Sequence, residues 1–211
     1  LIDSAKGSVL AIAEALTNIV GAPLKNDIKG ISLSANWMWP CKNPGEDAAL
    51  YRAVEACSDF ACALGINIPT GKDSLSMTQK YPNGPKVLSP GTVIVTAVGE
   101  VSNIRKTVKP VASTDNATEL LYVDFSKGAF ELGGSSLAQV LDKIGNNAPD
   151  VKDAAYFKNC FNTIQKLIEE GLILAGHDVS AGGLITTLLE MTFANCEGGL
   201  NINLSAFNNR S

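Results

Sequence analysis

Histidine occurs once in this 211-residue chain, at His177, which excludes a metal centre built on several imidazoles. A lone histidine more often serves as a hydrogen-bonded structural group than as a catalyst. Basic residues are not in excess: Lys and Arg number 17 against 21 Asp and Glu, for a net charge of -4 and a pI near 5.0. The electrostatic footprint of a nucleic-acid binder is therefore missing. No apolar run is long enough to span a bilayer, and the N-terminus lacks the basic, apolar and small-residue order of a signal peptide. The five cysteines, Cys41, Cys57, Cys62, Cys160 and Cys196, form no CxxC pair, and an odd number cannot complete a disulfide set, which points to a reducing cytoplasm. Cys57 and Cys62 fall in a stretch of helical periodicity, where a thiol acts as a small hydrophobe, so no catalytic cysteine is assigned.

What is present is an apolar, foldable chain: 45% of residues are hydrophobic and 18% charged, too apolar for a disordered segment. Val9, Ile12, Ala13, Leu16 and Val20 recur at helical spacing over 8–20, and Ile31 to Asn36 reads as a strand. Pro44-Gly45 breaks the chain; Glu46 and Asp47 then favour the positive end of a helix whose stripe is Leu50, Val54, Cys57, Ala61 and Leu64, ending at Gly65. A brief strand at Ile66 to Ile68, a polar loop from Thr70 to Ser74, a turn at Asn83-Gly84 and a buried strand from Thr92 to Val98 follow. The aperiodic stretch Arg105 to Asn116 marks a boundary and predicts subdomains 1–109 and 110–211. In the second, strands are expected at Leu120 to Asp124, Leu172 to Ala175 and Asn201 to Leu204. A glycine-rich loop falls at Gly133-Gly134, and helices at Leu137 to Ile144, Ala154 to Glu170 and after Ser180. The alternation predicts an α/β or α+β fold with mixed sheets. The opening at Leu1 and the close beyond Asn208-Asn209 read as cuts in a longer protein.

Three segments carry chemistry. Glu14 and Asn18, four apart on the first helix, share a face with Gly7 and Ala11 opposite the apolar stripe. A carboxylate and an amide at that spacing suit magnesium shared with a nucleotide's phosphates, and the same spacing equally describes a solvated helix face. His177-Asp178-Val179-Ser180-Ala181-Gly182-Gly183 follows an expected strand and opens a helix, with Ser180 placed as N-cap, free amides for phosphate and Asp178 as a metal oxygen. An ordinary capped helix fits it as well. Gly71-Lys72-Asp73-Ser74 is not a Walker loop, because Asp73 replaces the required hydroxyl residue. Lys72 and Ser74 are phosphate contacts on one reading and part of a polar turn on the other. Trp37, Met38 and Trp39 suit aromatic packing at a strand end better than a stacking surface.

Taken together, Ala13 to Asn18, Leu33 to Met38, Pro44 to Ala48, Ile68 to Met77 and His177 to Leu184, with Leu188 to Ala194, resemble the large formylglycinamide ribonucleotide amidotransferase family, in order along nearly the whole chain. The resemblance implies an aminoimidazole-ribonucleotide-synthetase-like two-subdomain fold, cut at both ends and taken from the second of two such repeats. It implies an auxiliary ATP or ADP with magnesium, Glu14, Asn18 and Asp178 as metal ligands and Ser180 at the nucleotide, with a further ligand upstream of Leu1. Gly71, Lys72 and Ser74 become substrate or phosphate contacts; smaller relatives carry a magnesium-binding asparagine where Lys72 stands. Implied partners are the first repeat and the glutaminase domain of the same polypeptide, nucleotide and formylglycinamide ribonucleotide, with no nucleic acid and no membrane. No residue here is expected to be catalytic, and the fragment alone is expected to be inactive. A purely structural repeat, or a standalone synthetase or kinase of the same superfamily, are the alternatives.

Overall fold

A computed structural model describes residues 2–115, 117–128, 130–195 and 198–205. The first half is a three-stranded mixed sheet with two helices on one face. Helix α1 (Ser4–Ile19) starts where Asp3 accepts the Lys6 amide at 3.0 Å, the capping that satisfies a free amide of the first turn. A short 3-10 turn (Asp27–Gly30) leads into β1 (Ile31–Met38), and α2 (Glu46–Leu64) follows Gly45. Helix α2 stops at Gly65 in the left-handed conformation, φ 78°, where the Gly65 and Ile66 amides both reach the Ala61 carbonyl. That is the C-terminal closure glycine permits. The buried stripe of α2 is Ala53, Cys57, Phe60, Ala61 and Leu64, whereas Val54, expected in it, is exposed.

Strand β2 runs from Asn67 to Ser74, so the segment expected to be a polar loop is a strand. It pairs in parallel with β1, Ala35 facing Gly71 and Asn36 facing Lys72. Pairing overrides low strand propensity here because β2 is a sheet edge with solvent on its exposed side chains. The register slips between Ser32 and Ser34, opposite Pro69, which has no amide to donate. Strands β3 (Thr78–Lys80) and β4 (Lys86–Leu88) form a hairpin whose turn holds Asn83, φ 59°, and β5 (Thr92–Gly99) pairs antiparallel with β1, giving the order β2-β1-β5. Only one face of β5 is covered: Ile94 and Val98 are exposed while Val95 and Ala97 pack on the core.

The second half contributes α3 (Ser136–Val140), shorter than the expected 137–144, then α4 (Ala154–Glu169) and α5 (Gly183–Glu190). Leu120 to Asp124, Leu172 to Ala175 and Asn201 to Leu204 form no strands. Their apolar side chains, among them Leu121, Leu172 and Leu174, stand exposed along an open cleft; a strand requires a ladder partner, and no described segment supplies one.

Helix α4 departs from the two-half division. Asp153 caps it by accepting the Tyr156 amide at 3.0 Å, and its apolar face lies inside the core of the first half. Phe157 and Phe161 are fully buried with Ile12, Leu16, Ile28, Ile31, Leu33, Cys57 and Leu64. The Phe157 ring meets Phe60 edge-on at 5.8 Å and Phe125 at 4.8 Å. Burying each such side chain contributes about 1.5–3 kcal/mol. Polar groups on α4 then satisfy backbone groups of the first half: Gln165 bonds Leu24 and Val20, Asn162 the Ile28 amide, and Lys158 the Leu64 carbonyl.

Candidate functional site

The connector between the halves brings α1 and the 176–183 segment together. Val108 donates its amide to the Gly21 carbonyl, just past the end of α1, at 2.9 Å; the next residue, Lys109, accepts from the Gly176 amide at 3.2 Å. Ala112 then bonds Met191 beyond α5. One extended stretch thus ties the C-terminal end of α1 to the start of the His177-Asp178 segment.

Side chains close the gap. The Ser180 hydroxyl donates to Glu14 Oε1 at 2.9 Å across 166 positions of sequence, and Asn18 lines the same cleft as His177, Asp178 and Ser180. Glu14, Asn18 and Ser180 are exposed and Asp178 is half-buried, so ligands can reach all four. Ser180 is not the N-cap expected of it. Helix α5 begins two residues later, with Gly182 at its cap, φ 91°, where a Cβ would also lie 2.4 Å from the Thr186 hydroxyl oxygen. The hydroxyl is thereby released to bridge to α1.

Asp178 is held from behind by α5. Its carbonyl accepts the Thr187 hydroxyl at 3.2 Å. The His177 ring places Nδ1 2.9 Å from the Asp178 carbonyl and 3.2 Å from its Oδ1, and Nε2 3.1 Å from Glu190 Oε2. Neither Thr187 nor Glu190 is recognisable as a site residue from sequence; the only signal is their three-residue spacing, which puts both on one helix face.

Glu14, Asn18 and Asp178 offer hard oxygen donors, the chemistry magnesium takes. Among the described residues no three His, Cys, Asp or Glu side chains cluster closely enough to hold a metal by themselves. Two carboxylates and an amide suit a magnesium that keeps waters and shares phosphate oxygens. The cleft is broad, about 2640 Å³, beyond the roughly 300–1,000 Å³ of a single small-molecule pocket, so the donor-bearing end next to α1 is its chemically distinct part.

Gly71, Lys72 and Ser74 lie elsewhere, on β2, and none of them lines this cleft. Lys72 Nζ donates to Ser74 Oγ at 2.6 Å. Gly71 is required by the sheet, since a Cβ there would stand 2.0 Å from the Ala35 carbonyl oxygen. Trp39 is buried and Trp37 packs on the core, in keeping with a packing role. Four described cysteines are free thiols; burial pushes the Cys57 thiol up, away from reactivity. Cys196 and the Asn208-Asn209 end lie outside the described residues. No helix is long and apolar enough to cross a membrane among the described residues.

Two family models match the chain in succession: the FGAR-AT PurM_N-like domain over residues 1–100, and the C-terminal domain of AIR synthase related proteins over residues 126–210. The chain belongs to the formylglycinamide ribonucleotide amidotransferase family. Its fold is the mixed α+β arrangement of that family. Among solved structures it is similar to T. maritima PurL complexed with FGAR, at 17% identity and TM-score 0.56, covering 90% of this chain and 29% of that one. It is also similar to T. maritima PurL complexed with ATP, at 15% identity and TM-score 0.50, covering 89% and 26%. At these identities the likeness is one of fold, and the chain spans less than a third of the length of those proteins.

Proposed function

We propose that this chain forms the auxiliary nucleotide–magnesium site, and part of the catalytic-site wall, of a ligase that converts formylglycinamide ribonucleotide to formylglycinamidine ribonucleotide in purine biosynthesis. The observation that carries this reading is the 2.9 Å bond between Ser180 and Glu14. It joins α1 and the segment before α5, the two elements whose oxygen donors must converge for a shared metal site. That relatives of the same fold were solved with ATP and with FGAR supports it further.

In this reading Glu14, Asn18 and Asp178 hold magnesium, and Ser180 with the backbone around Gly182-Gly183 contacts the nucleotide phosphates. Bound magnesium would offset phosphate charge and fix the nucleotide's pose. The overall reaction transfers the γ-phosphate of ATP to the substrate's amide oxygen; ammonia from glutamine then attacks that carbon, and phosphate leaves to give the amidine. The Cys and other groups of glutamine hydrolysis belong to another domain of the polypeptide. Gly71, Lys72 and Ser74 are assigned to the wall facing substrate, on the exposed side of β2, and 1–109 and 110–211 to the two subdomains. The remaining domains of the same polypeptide are the proposed partners that cover exposed Ile94 and Val98.

Calorimetric titration with ADP and ATP, with and without magnesium, tests the site. Magnesium-dependent binding that is lost in Glu14→Ala and in Asp178→Ala supports one site formed by both segments. Binding unaffected by either substitution would sink it.

A further inference from the structure

The turn that follows α1, residues 20–24, is gripped from two sides. Gln165 on α4 is buried; its Nε2 donates to the Val20 carbonyl at 2.7 Å and its Oε1 accepts the Leu24 amide at 2.8 Å. Val20 caps the C-terminal end of α1, where carbonyls lack helical partners, so one side-chain amide closes both ends of the turn. From the other side the connector bonds the same turn. The Ser102 amide donates to the Pro23 carbonyl at 2.8 Å, and the Val108 amide to the Gly21 carbonyl at 2.9 Å. The Lys109 carbonyl, next in sequence, accepts the Gly176 amide at 3.2 Å, just before Asp178. Asn18 in turn stands just before Val20. Two donor-bearing segments of the cleft therefore hang from one turn, Asn18 through the end of α1 and Asp178 through the connector, and Gln165 fixes that turn to α4.

We propose that Gln165 is a positioning residue of the nucleotide–magnesium site, which sets the separation of Asn18 and Asp178 by fixing the 20–24 turn. This rests on the proposed site and names the part of the fold that holds it in register. A metal ligand must be held to within about 0.5 Å of its working position, and a turn released from α4 cannot hold two ligands to that tolerance. The requirement falls on the metal rather than on the nucleotide. Ser180 and the Gly182-Gly183 backbone belong to one segment and move together, whereas the metal needs oxygens from α1 and from the 176–183 segment at once. Gln165 does not line the cleft, so replacing it takes away no ligand contact.

The test is the ratio of ADP affinity in magnesium to ADP affinity in EDTA, measured by calorimetry on the wild type, Gln165→Met, Gln165→Asn and Phe161→Leu, with urea unfolding of each to fix conditions where it is folded. Gln165→Met removes both bonds at nearly constant volume, and Gln165→Asn keeps an amide that is one methylene too short to reach both groups. Phe161→Leu, on the same helix, lowers stability without touching either bond to the turn. The expected result is a ratio about tenfold smaller in both Gln165 variants, with the EDTA affinity within about twofold of wild type, and a wild-type ratio in Phe161→Leu. An unchanged ratio in either folded Gln165 variant, an equal loss in magnesium and EDTA, or the same drop in Phe161→Leu overturns the positioning role alone. A wild type whose ADP affinity is the same in magnesium and EDTA overturns the metal site itself, and the positioning role with it.

Discussion

The Leu24 amide and Gln165 Oε1, 141 positions apart, are joined by a 2.8 Å hydrogen bond, and the same side-chain amide donates to the Val20 carbonyl at 2.7 Å. Gln165 is only 1% exposed. It satisfies the last turn of α1 and the loop after it, one turn beyond Asn18. Buried backbone groups without partners cost about 1–3 kcal/mol each. Gln165→Met keeps the volume and removes both bonds, so urea denaturation is expected to show a loss of about 2–4 kcal/mol. A loss below about 0.5 kcal/mol would mean that water replaces both bonds.

Helix α4 completes the core of the first half with Phe157 and Phe161. Phe161→Ala is expected to destabilise by about 3–5 kcal/mol, the range for removing a buried aromatic. A chain truncated after residue 109 is expected to lack cooperative unfolding in a thermal melt. A cooperative transition of normal enthalpy would show that the first half closes its core unaided.

Gly71 and Lys72 separate structure from chemistry on β2. Gly71→Ala forces a Cβ against the Ala35 carbonyl and is expected to cost about 1–3 kcal/mol through the β1–β2 ladder. Lys72→Ala, on an exposed side chain, is expected to change stability by less than about 0.5 kcal/mol and to leave ADP affinity unchanged, because Lys72 is outside the cleft. An ADP affinity that falls with Lys72→Ala would place the β2 residues at the nucleotide.

Acid should loosen the attachment of α4. The hydrogen bond from Lys127, followed by that from the Tyr156 amide, holds the Asp153 carboxyl below its usual range; Lys106 and then Ser102 do the same for Glu169. A carboxylate whose folded pKa is depressed adds stability above its unfolded value, and that increment is lost as pH falls through the folded one. The loss is expected below about pH 4, and Asp153→Asn is expected to flatten the dependence of unfolding on pH there. Identical acid limbs for wild type and variant would show that Asp153 plays no part.

The long helices were legible because they carry their signals locally: an apolar stripe in α1 and α2, acidic Glu46 and Asp47 at the start of α2, and Gly65 as its stop. Strands depend on partners that sequence does not name. β2 was hidden because Thr70 to Ser74 is polar and owes its form to pairing with β1. Leu120 to Asp124 shows the converse: four apolar residues in a row read as a strand, but no described segment supplies a ladder beside them. The site was legible only as separate pieces. Four-residue spacing put Glu14 and Asn18 on one helix face, and a turn pattern marked Asp178, but nothing in either spacing says that they meet; only resemblance to the family implied it. The contribution of Glu190 and Thr187 was invisible, because a helix face acquires meaning from the loop it packs against.

The burial of Phe157 in the first half also sets an order of events at the ribosome. Strand β5 is finished at Gly99, yet the Phe157 ring that meets Phe60 edge-on within the first-half core is added 58 residues later, a gap of about 3–12 s at ordinary translation speeds. Through that interval the nascent sheet and its two helices carry an uncovered aromatic-lined hollow, so the growing chain, rather than the finished protein, is the species most exposed to capture by chaperones or to misassembly with its neighbours on a polysome.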